Sequence, residues 1–87
     1  MSKLAERTLK YIIKVGKVLG ELKITAGNSI LVKGNLIGEV VDGAKRYFED
    51  AKYYFEKGEY DVSLASISYC EGLLDALRML GLVEFEW

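Results

Sequence analysis

The most regular pattern of charged side chains in this 87-residue sequence is a row of five basic residues near its start. The row consists of Lys3, Arg7, Lys10, Lys14 and Lys17. Because the steps between them are four, three, four and three residues, a helix would place all five on one face. Such a face could follow a phosphate backbone, or it could be a solvated surface that pairs with a partner. Glu6 and Glu21 lie beside the row, which favours the second interpretation.

Glu71 and Asp75 could also do chemistry, because they are carboxylates one helical turn apart. Such a pair could bind a divalent cation or share a proton. The chain has no histidine, which removes the commonest metal ligand and the commonest general base at neutral pH. No third acid lies in register with the pair, so a solvated face is favoured, and we assign no metal ligand and no cofactor.

Cys70 is the only thiol, and no basic residue lies within one helical turn to lower its pKa. We therefore expect a buried structural cysteine rather than a nucleophile. A single cysteine cannot form an internal disulfide, which indicates a reducing compartment such as the cytoplasm. Because the sequence offers no nucleophile–base pair, we expect that it is not an enzyme.

The composition is that of one small folded domain spanning residues 1–87. Hydrophobic residues make up 51% and charged residues 29%, and proline is absent, which excludes a disordered or proline-rich segment. No apolar run approaches the roughly 20 residues that cross a bilayer, so we expect no membrane association. Residues 1–43 carry a net charge of +3 and residues 44–87 a net charge of −4. This asymmetry bears on the choice of partner.

Hydrophobic periodicity predicts an all-α fold, a three-helix bundle whose last two helices form an αα-hairpin. The helices are predicted over residues 3–23, 35–57 and about 61–80. Ser2 is the expected N-cap of the first helix, and Asp61 or a neighbour that of the third. Gly58 and Gly81 should end the second and third helices in the left-handed conformation.

The connection over residues 24–34 is predicted to be irregular. Residues 26–29, with the sequence Ala-Gly-Asn-Ser, have turn chemistry, and the flanking residues are apolar or β-branched. A short hairpin would fit this pattern. Two isolated strands are marginal without a sheet to join, so a packed loop is favoured.

A row of small residues on the third helix is predicted to face the second helix. The row consists of Ala65, Ser68, Gly72 and Ala76. Glycine inside a helix costs roughly 1 kcal/mol relative to alanine, and close approach of another backbone could compensate for this cost. We therefore expect the aromatic side of helix two to pack on this row, and Gly72→Leu to be among the most damaging substitutions.

Helices two and three also resemble a known family. The residues that carry the resemblance are Tyr47, Asp50, Ala51, Tyr54, Phe55, Gly58, Ala65, Tyr69, the run Gly72-Leu73-Leu74-Asp75-Ala76, and Gly81-Leu82. They are similar to the domain of unknown function 357 family, an archaeal family of short helical proteins. The resemblance implies a helical bundle, an archaeal cytoplasmic source and an accessory role. It also leads us to expect histidine before Gly72, where this chain has Glu71.

The C-terminal tail is predicted to be a short extended segment with Val83, Phe85 and Trp87 on one side. A two-fold dimer would cover these residues together with the surplus apolar surface of the first helix. Alternatively, the tail folds back over its own first helix. The expected function is a non-enzymatic helical interaction or scaffold module that forms a homodimer and binds an unknown protein partner. The alternative is an accessory nucleic-acid- or nucleotide-binding domain that uses the basic row.

Overall fold

The structure, a computed structural model, describes residues 1–25 and 34–87. Along the chain the elements are α1 (Lys3–Glu21), β1 (Lys23–Ile24), α2 (Gly34–Glu56), α3 (Tyr60–Met79) and β2 (Val83–Glu84). The predicted all-α fold is confirmed, with α2 and α3 packed as a hairpin and α1 against both. The predicted helix bounds differ from those of the structure by at most two residues.

Three of the four predicted helix ends follow local rules. The Ser2 hydroxyl accepts a hydrogen bond of 3.1 Å from the backbone N–H of Ala5, as the N-cap of α1. Gly58 and Gly81 have φ angles of +77° and +73°, and therefore end α2 and α3 as predicted. The N-cap of α3 is Glu59, whose side chain makes no capping hydrogen bond, and Asp61 lies in the first turn.

The core lies between the three helices. From α2 it takes a stripe of residues at steps of four and three, in which Ile37, Val41, Ala44 and Ala51 are buried and Phe48 and Phe55 are half-buried. Two side chains of α3 bond to the backbone of α2: Ser63 Oγ donates to the carbonyl of Ala51 at 2.6 Å, and Cys70 Sγ donates to that of Ala44 at 3.1 Å. These bonds satisfy buried polar atoms and fix the register of the hairpin.

The glycine that permits a close helix approach is Gly16 in α1. A Cβ atom at this position would lie 3.0 Å from Cζ of Phe48, which comes from α2. This distance is shorter than ordinary van der Waals contact. The Phe48 ring therefore occupies the space that a side chain at residue 16 would need.

The prediction that the small residues of α3 face α2 is wrong. Ala65, Ser68, Gly72 and Ala76 are all exposed. A Cβ atom on Gly72 would meet nothing within 4 Å among the described residues. The physical reason is the direction of the buried stripe: α3 contacts the bundle through Ser63, Ile67, Cys70, Leu74 and Leu77, and the small row lies on the opposite side of the helix.

The two short strands follow the C-terminal ends of α1 and α3 and pair with each other. β1 pairs antiparallel with β2, with Lys23 opposite Glu84 and Ile24 opposite Val83. The backbone N–H of Thr25 extends the ladder to the carbonyl of Leu82 at 3.1 Å. Ile24 thus pairs with the C-terminal tail. The predicted turn over residues 26–29, and with it the choice between a hairpin and a packed loop, lies in residues 26–33, outside the described residues.

Candidate functional site

The basic row lies along the outer side of α1. Lys3, Arg7, Lys10 and Lys17 are exposed, as a solvated face requires. Three of these cations line a surface depression of about 460 Å³ together with Glu6 and Tyr11. Three of the five basic residues thus share one depression, and Glu6 places a negative charge inside it.

Lys14 is the exception in this row, because its ammonium group contacts α3 and the tail. Nζ lies 3.3 Å from Oε1 of Glu71, and the two side chains are only 33% and 26% exposed. The same nitrogen lies 4.9 Å from the centre of the Trp87 ring and 5.0 Å from that of Tyr11. Both distances are within the range of cation–π attraction. Lys14 thus contributes to the packing of the domain.

The tail completes this contact. Nε1 of Trp87 donates a hydrogen bond of 2.6 Å to Oδ1 of Asp75, and the Phe85 and Trp87 rings meet edge to face at 4.8 Å. Val83 is buried and Phe85 and Trp87 are half-buried, whereas the glutamates between them are exposed. The predicted alternation of the tail is confirmed. The three apolar residues pack against the bundle of their own chain.

The two carboxylates predicted as a candidate pair therefore have separate partners. Glu71 pairs with Lys14 of α1, and Asp75 accepts the hydrogen bond from Trp87. Within residues 1–25 and 34–87, no group of three or more histidine, cysteine, aspartate or glutamate residues is placed to hold a metal ion. Both acids act as attachment points for other elements of the fold.

Cys70 is fully buried in the core, as predicted. Burial, with a smaller contribution from the Glu71 carboxylate, raises the pKa of its thiol from 9.0 to about 11. A thiol with such a pKa is protonated at neutral pH and is a poor nucleophile. Its hydrogen bond to Ala44 gives it a structural role.

Two aromatic residues of the family motif meet across the α2–α3 hairpin. The Tyr47 and Tyr69 rings lie with their centres 4.4 Å apart and their planes tilted by 40°. Asp50 is exposed on α2 and lines a depression of about 490 Å³ that also contains Tyr47. The Tyr54 ring meets that of Tyr53 edge to face at 5.2 Å.

A further surface feature was missed by the sequence analysis. We call it the outer face of α3, and it consists of Val62, Ala65, Tyr69, Gly72, Ala76 and Met79. All six residues are exposed, and none of them is charged. The signal was present in the sequence as a spacing of three, four, three, four and three residues, but the small members of the row were assigned to the interior.

Comparison with known proteins places the chain in a family. Residues 10–83 match the model of a family described as "Protein of unknown function (DUF357)". This range extends from the middle of α1 to the first residue of β2. The chain belongs to this family. No curated protein and no solved structure matches it.

In this DUF357 domain the motif positions have structural roles that the contacts explain. Gly58 ends α2, Asp75 holds the tail, and Tyr69 stacks on Tyr47. Glu71, at the position where the resemblance led us to expect histidine, forms the ion pair with Lys14. Gly72 has no such role within the described part of the chain, because its surroundings are open.

Proposed function

We propose that this DUF357 domain is a non-enzymatic interaction module and that its binding surface is the outer face of α3. The observation that carries the proposal is the exposure of large apolar side chains on an uncharged helix face. Tyr69 is 55% exposed and Val62 is 37% exposed. The buried residues of α3 form one stripe, and the outer face lies on the opposite side of the helix, so it is available to a partner.

The nature of these side chains supports binding. Tyrosine is enriched among the residues that dominate binding energy, because it offers a large rigid surface and one polar group. Tyr69 is already held by its stacking on Tyr47, so little side-chain entropy remains to be lost on association. The small residues around it let a partner backbone come near.

The state of the reactive groups supports a role without catalysis. The Cys70 thiol is buried and bonded to a carbonyl, Glu71 is paired with Lys14, and Asp75 is bonded to Trp87. A catalytic acid, base or nucleophile has to reach its substrate. Each of these groups is already engaged within the domain.

The alternative function is nucleic-acid or nucleotide binding by the basic face of α1. It is supported by the depression in which Lys3, Arg7 and Lys10 lie beside Tyr11. Glu6 in the same depression and the engagement of Lys14 weaken it. We therefore expect only weak, salt-sensitive binding of a generic DNA duplex. Submicromolar binding that Lys10→Glu abolishes would favour this alternative.

We further propose that the domain works in the reducing cytoplasm, and that its source is archaeal, as the family resemblance implies. The free buried thiol of Cys70 supports a reducing compartment. Within residues 1–25 and 34–87, no helix combines the length and apolar character needed to cross a membrane.

Photo-cross-linking in lysate of the source organism tests the proposed surface. A photoreactive residue replaces Ala65 on the outer face of α3, and a matched control replaces Lys45 on the exposed side of α2. We expect a discrete adduct from position 65 and none from position 45, and the mass of the adduct identifies the class of partner. No adduct at position 65, or equal adducts at both positions, would contradict the proposal.

A further inference from the structure

We infer that the partner of the outer face of α3 is the same face of a second copy of this chain, packed antiparallel about a two-fold axis. The inference rests on the proposed function, because it names the occupant of that binding surface. It follows from the order of large and small residues along the face, from the position of charges on α3, and from the shape of the surface around Gly72.

The spacing of the face is that of a helix–helix seam. Its six residues follow one another at three, four, three, four and three positions, which is the spacing of the a and d positions in a coiled coil. Val62, Tyr69 and Ala76 then occupy one type of position, and Ala65, Gly72 and Met79 the other. In an antiparallel pair of helices, each residue of the first type lies beside one of the second type.

The large and small residues of the face complement each other when a second copy of the face runs in the opposite direction. Antiparallel pairing about the centre of the face sets Val62 beside Met79 of the second copy, Ala65 beside Ala76, and Tyr69 beside Gly72. A large residue thus meets a small one at the two central positions. The alanine pairs let the helix axes approach to about 8 Å, the short end of the usual range. Parallel pairing would instead set Tyr69 against Tyr69 and Gly72 against Gly72.

The surface supplies both members of the central pair. The Tyr69 ring projects from α3 and is stacked on Tyr47. On the other side of the face, Gly72 lines a depression of about 250 Å³ whose other lining residues are Tyr11, Ser68, Glu71 and Asp75. A two-fold axis keeps Tyr69 of both copies on the same side of the seam, so the ring of one copy lies over Gly72 of the other, where a Cβ atom would meet nothing within 4 Å among the described residues. Two such contacts would form, one on each side of the two-fold axis.

The charges of α3 favour the same arrangement. The outer face itself has none, so no like charges meet across it. Asp61 lies in the first turn of α3 and Arg78 in the last. Antiparallel pairing brings the N-terminal end of one helix level with the C-terminal end of the other, so opposite ends of the helix dipoles are neighbours. Parallel pairing would bring Asp61 level with Asp61.

The dimer predicted from the sequence used α1 and the tail, and the observed contacts favour α3 over that surface. Val83, Phe85 and Trp87 already pack within their own chain, so they do not need a partner to cover them. In the middle turns of α1, Ile13 is the one large apolar residue that is exposed, and it lies among lysines. A two-fold contact there would bring like charges together.

Light scattering at micromolar and higher concentrations tests the inference with a matched pair of variants. Gly72→Leu places a leucine side chain where the Tyr69 ring of the second copy is expected to lie, and Gly20→Leu places the same side chain on α1. A Cβ atom at either glycine meets nothing within 4 Å among the described residues, so neither change should unfold the domain. We expect a dimer for the wild type and for Gly20→Leu, and dissociation at least about tenfold easier for Gly72→Leu.

A charge pair tests the antiparallel register. Ala65→Lys alone should weaken the dimer, because it puts one ammonium group beside Ala76 of the second copy. Ala65→Lys combined with Ala76→Glu should restore it in part, since each lysine then lies beside a glutamate of the other copy. These positions are three turns apart within one helix, so the rescue cannot arise inside a single chain.

The outcomes separate this inference from the proposed function. A monomeric wild type, or a dimer that Gly72→Leu and Ala65→Lys leave unchanged, overturns the inference. If position 65 still cross-links to a different protein, the outer face of α3 remains the binding surface and only the identity of its occupant is wrong. If position 65 gives no adduct of any mass, the proposed function fails as well.

Discussion

The indole Nε1 of Trp87 donates a hydrogen bond of 2.6 Å to Oδ1 of Asp75, and this bond attaches the end of the tail to α3. The same indole ring faces the ammonium group of Lys14 at 4.9 Å, so the tail contacts α1 as well. The tail therefore joins the first and last helices of one chain. Its aromatic residues pack against their own chain, whereas the residues on the outer face of α3 are exposed.

Trp87→Phe tests the attachment of the tail. This substitution keeps an aromatic ring beside Phe85 and removes the N–H donor, so the free energy of unfolding should fall by about 1 kcal/mol. Chemical denaturation measures the change. In an Asp75→Asn background the same substitution should cost less, because the charged acceptor is already gone. Equal stability of Trp87→Phe and the wild type would show that this hydrogen bond does not hold the tail.

Lys14→Glu and Lys10→Glu should behave differently although both reverse a charge of the same row. Lys14→Glu places a carboxylate next to Glu71 and removes the cation from the Trp87 ring, so we expect a loss of about 1 kcal/mol and a red shift of the tryptophan emission. Lys10 is exposed, so Lys10→Glu should leave both measurements unchanged. Equal effects of the two substitutions would mean that Lys14 belongs to the solvated face.

Leucine substitutions at two glycines test which helix face is packed. Gly16→Leu should lower the free energy of unfolding by about 1–3 kcal/mol, because the new side chain would overlap the Phe48 ring. Gly72→Leu should leave the stability of the monomer unchanged or raise it by up to about 1 kcal/mol, since leucine is the better helix former. Urea denaturation at high dilution measures the monomer. A severe loss of stability in Gly72→Leu would show that residue 72 faces the interior of the domain.

The pH dependence of stability tests the burial of Cys70. The pKa of its thiol is raised in the folded state to about 11, from an ordinary value of 9.0. Between these two values the unfolded chain releases the thiol proton while the folded chain retains it, so the stability falls as the pH rises. The fall should be steeper for the wild type than for Cys70→Ala, in which the other titrating groups are the same. Parallel pH profiles for the two proteins would contradict the burial.

Local sequence signals predicted the helices well because each depends on neighbouring residues. Ser2 caps α1, the glycines at residues 58 and 81 end α2 and α3, and the stripe from Ile37 to Phe55 is the buried side of α2. The alternation of apolar and charged residues in the tail likewise depends only on neighbouring residues. These features arise from backbone geometry and side-chain period, which a sequence displays directly.

The features that the sequence did not predict depend on contacts between distant residues. The pairing of Ile24 with Val83 joins two segments that are far apart in the sequence, and no local pattern identifies such a partner. By its spacing Lys14 belongs to the basic row, but its ammonium group contacts Glu71 and Trp87, which are distant in the sequence. The small row of α3 was assigned to the interior because α3 has apolar residues on several sides, so its periodicity did not distinguish the buried side from the open one.

The concentration dependence of backbone amide chemical shifts tests most directly whether the outer face of α3 binds a second copy. Dilution of the labelled wild-type protein should shift the amide signals of Ala65, Tyr69 and Gly72, and leave those of Lys3, Arg7 and Lys10 unchanged. Gly72→Leu should abolish the dependence. Shifts confined to the basic face of α1, or spectra that stay identical over the whole concentration range, would contradict the account.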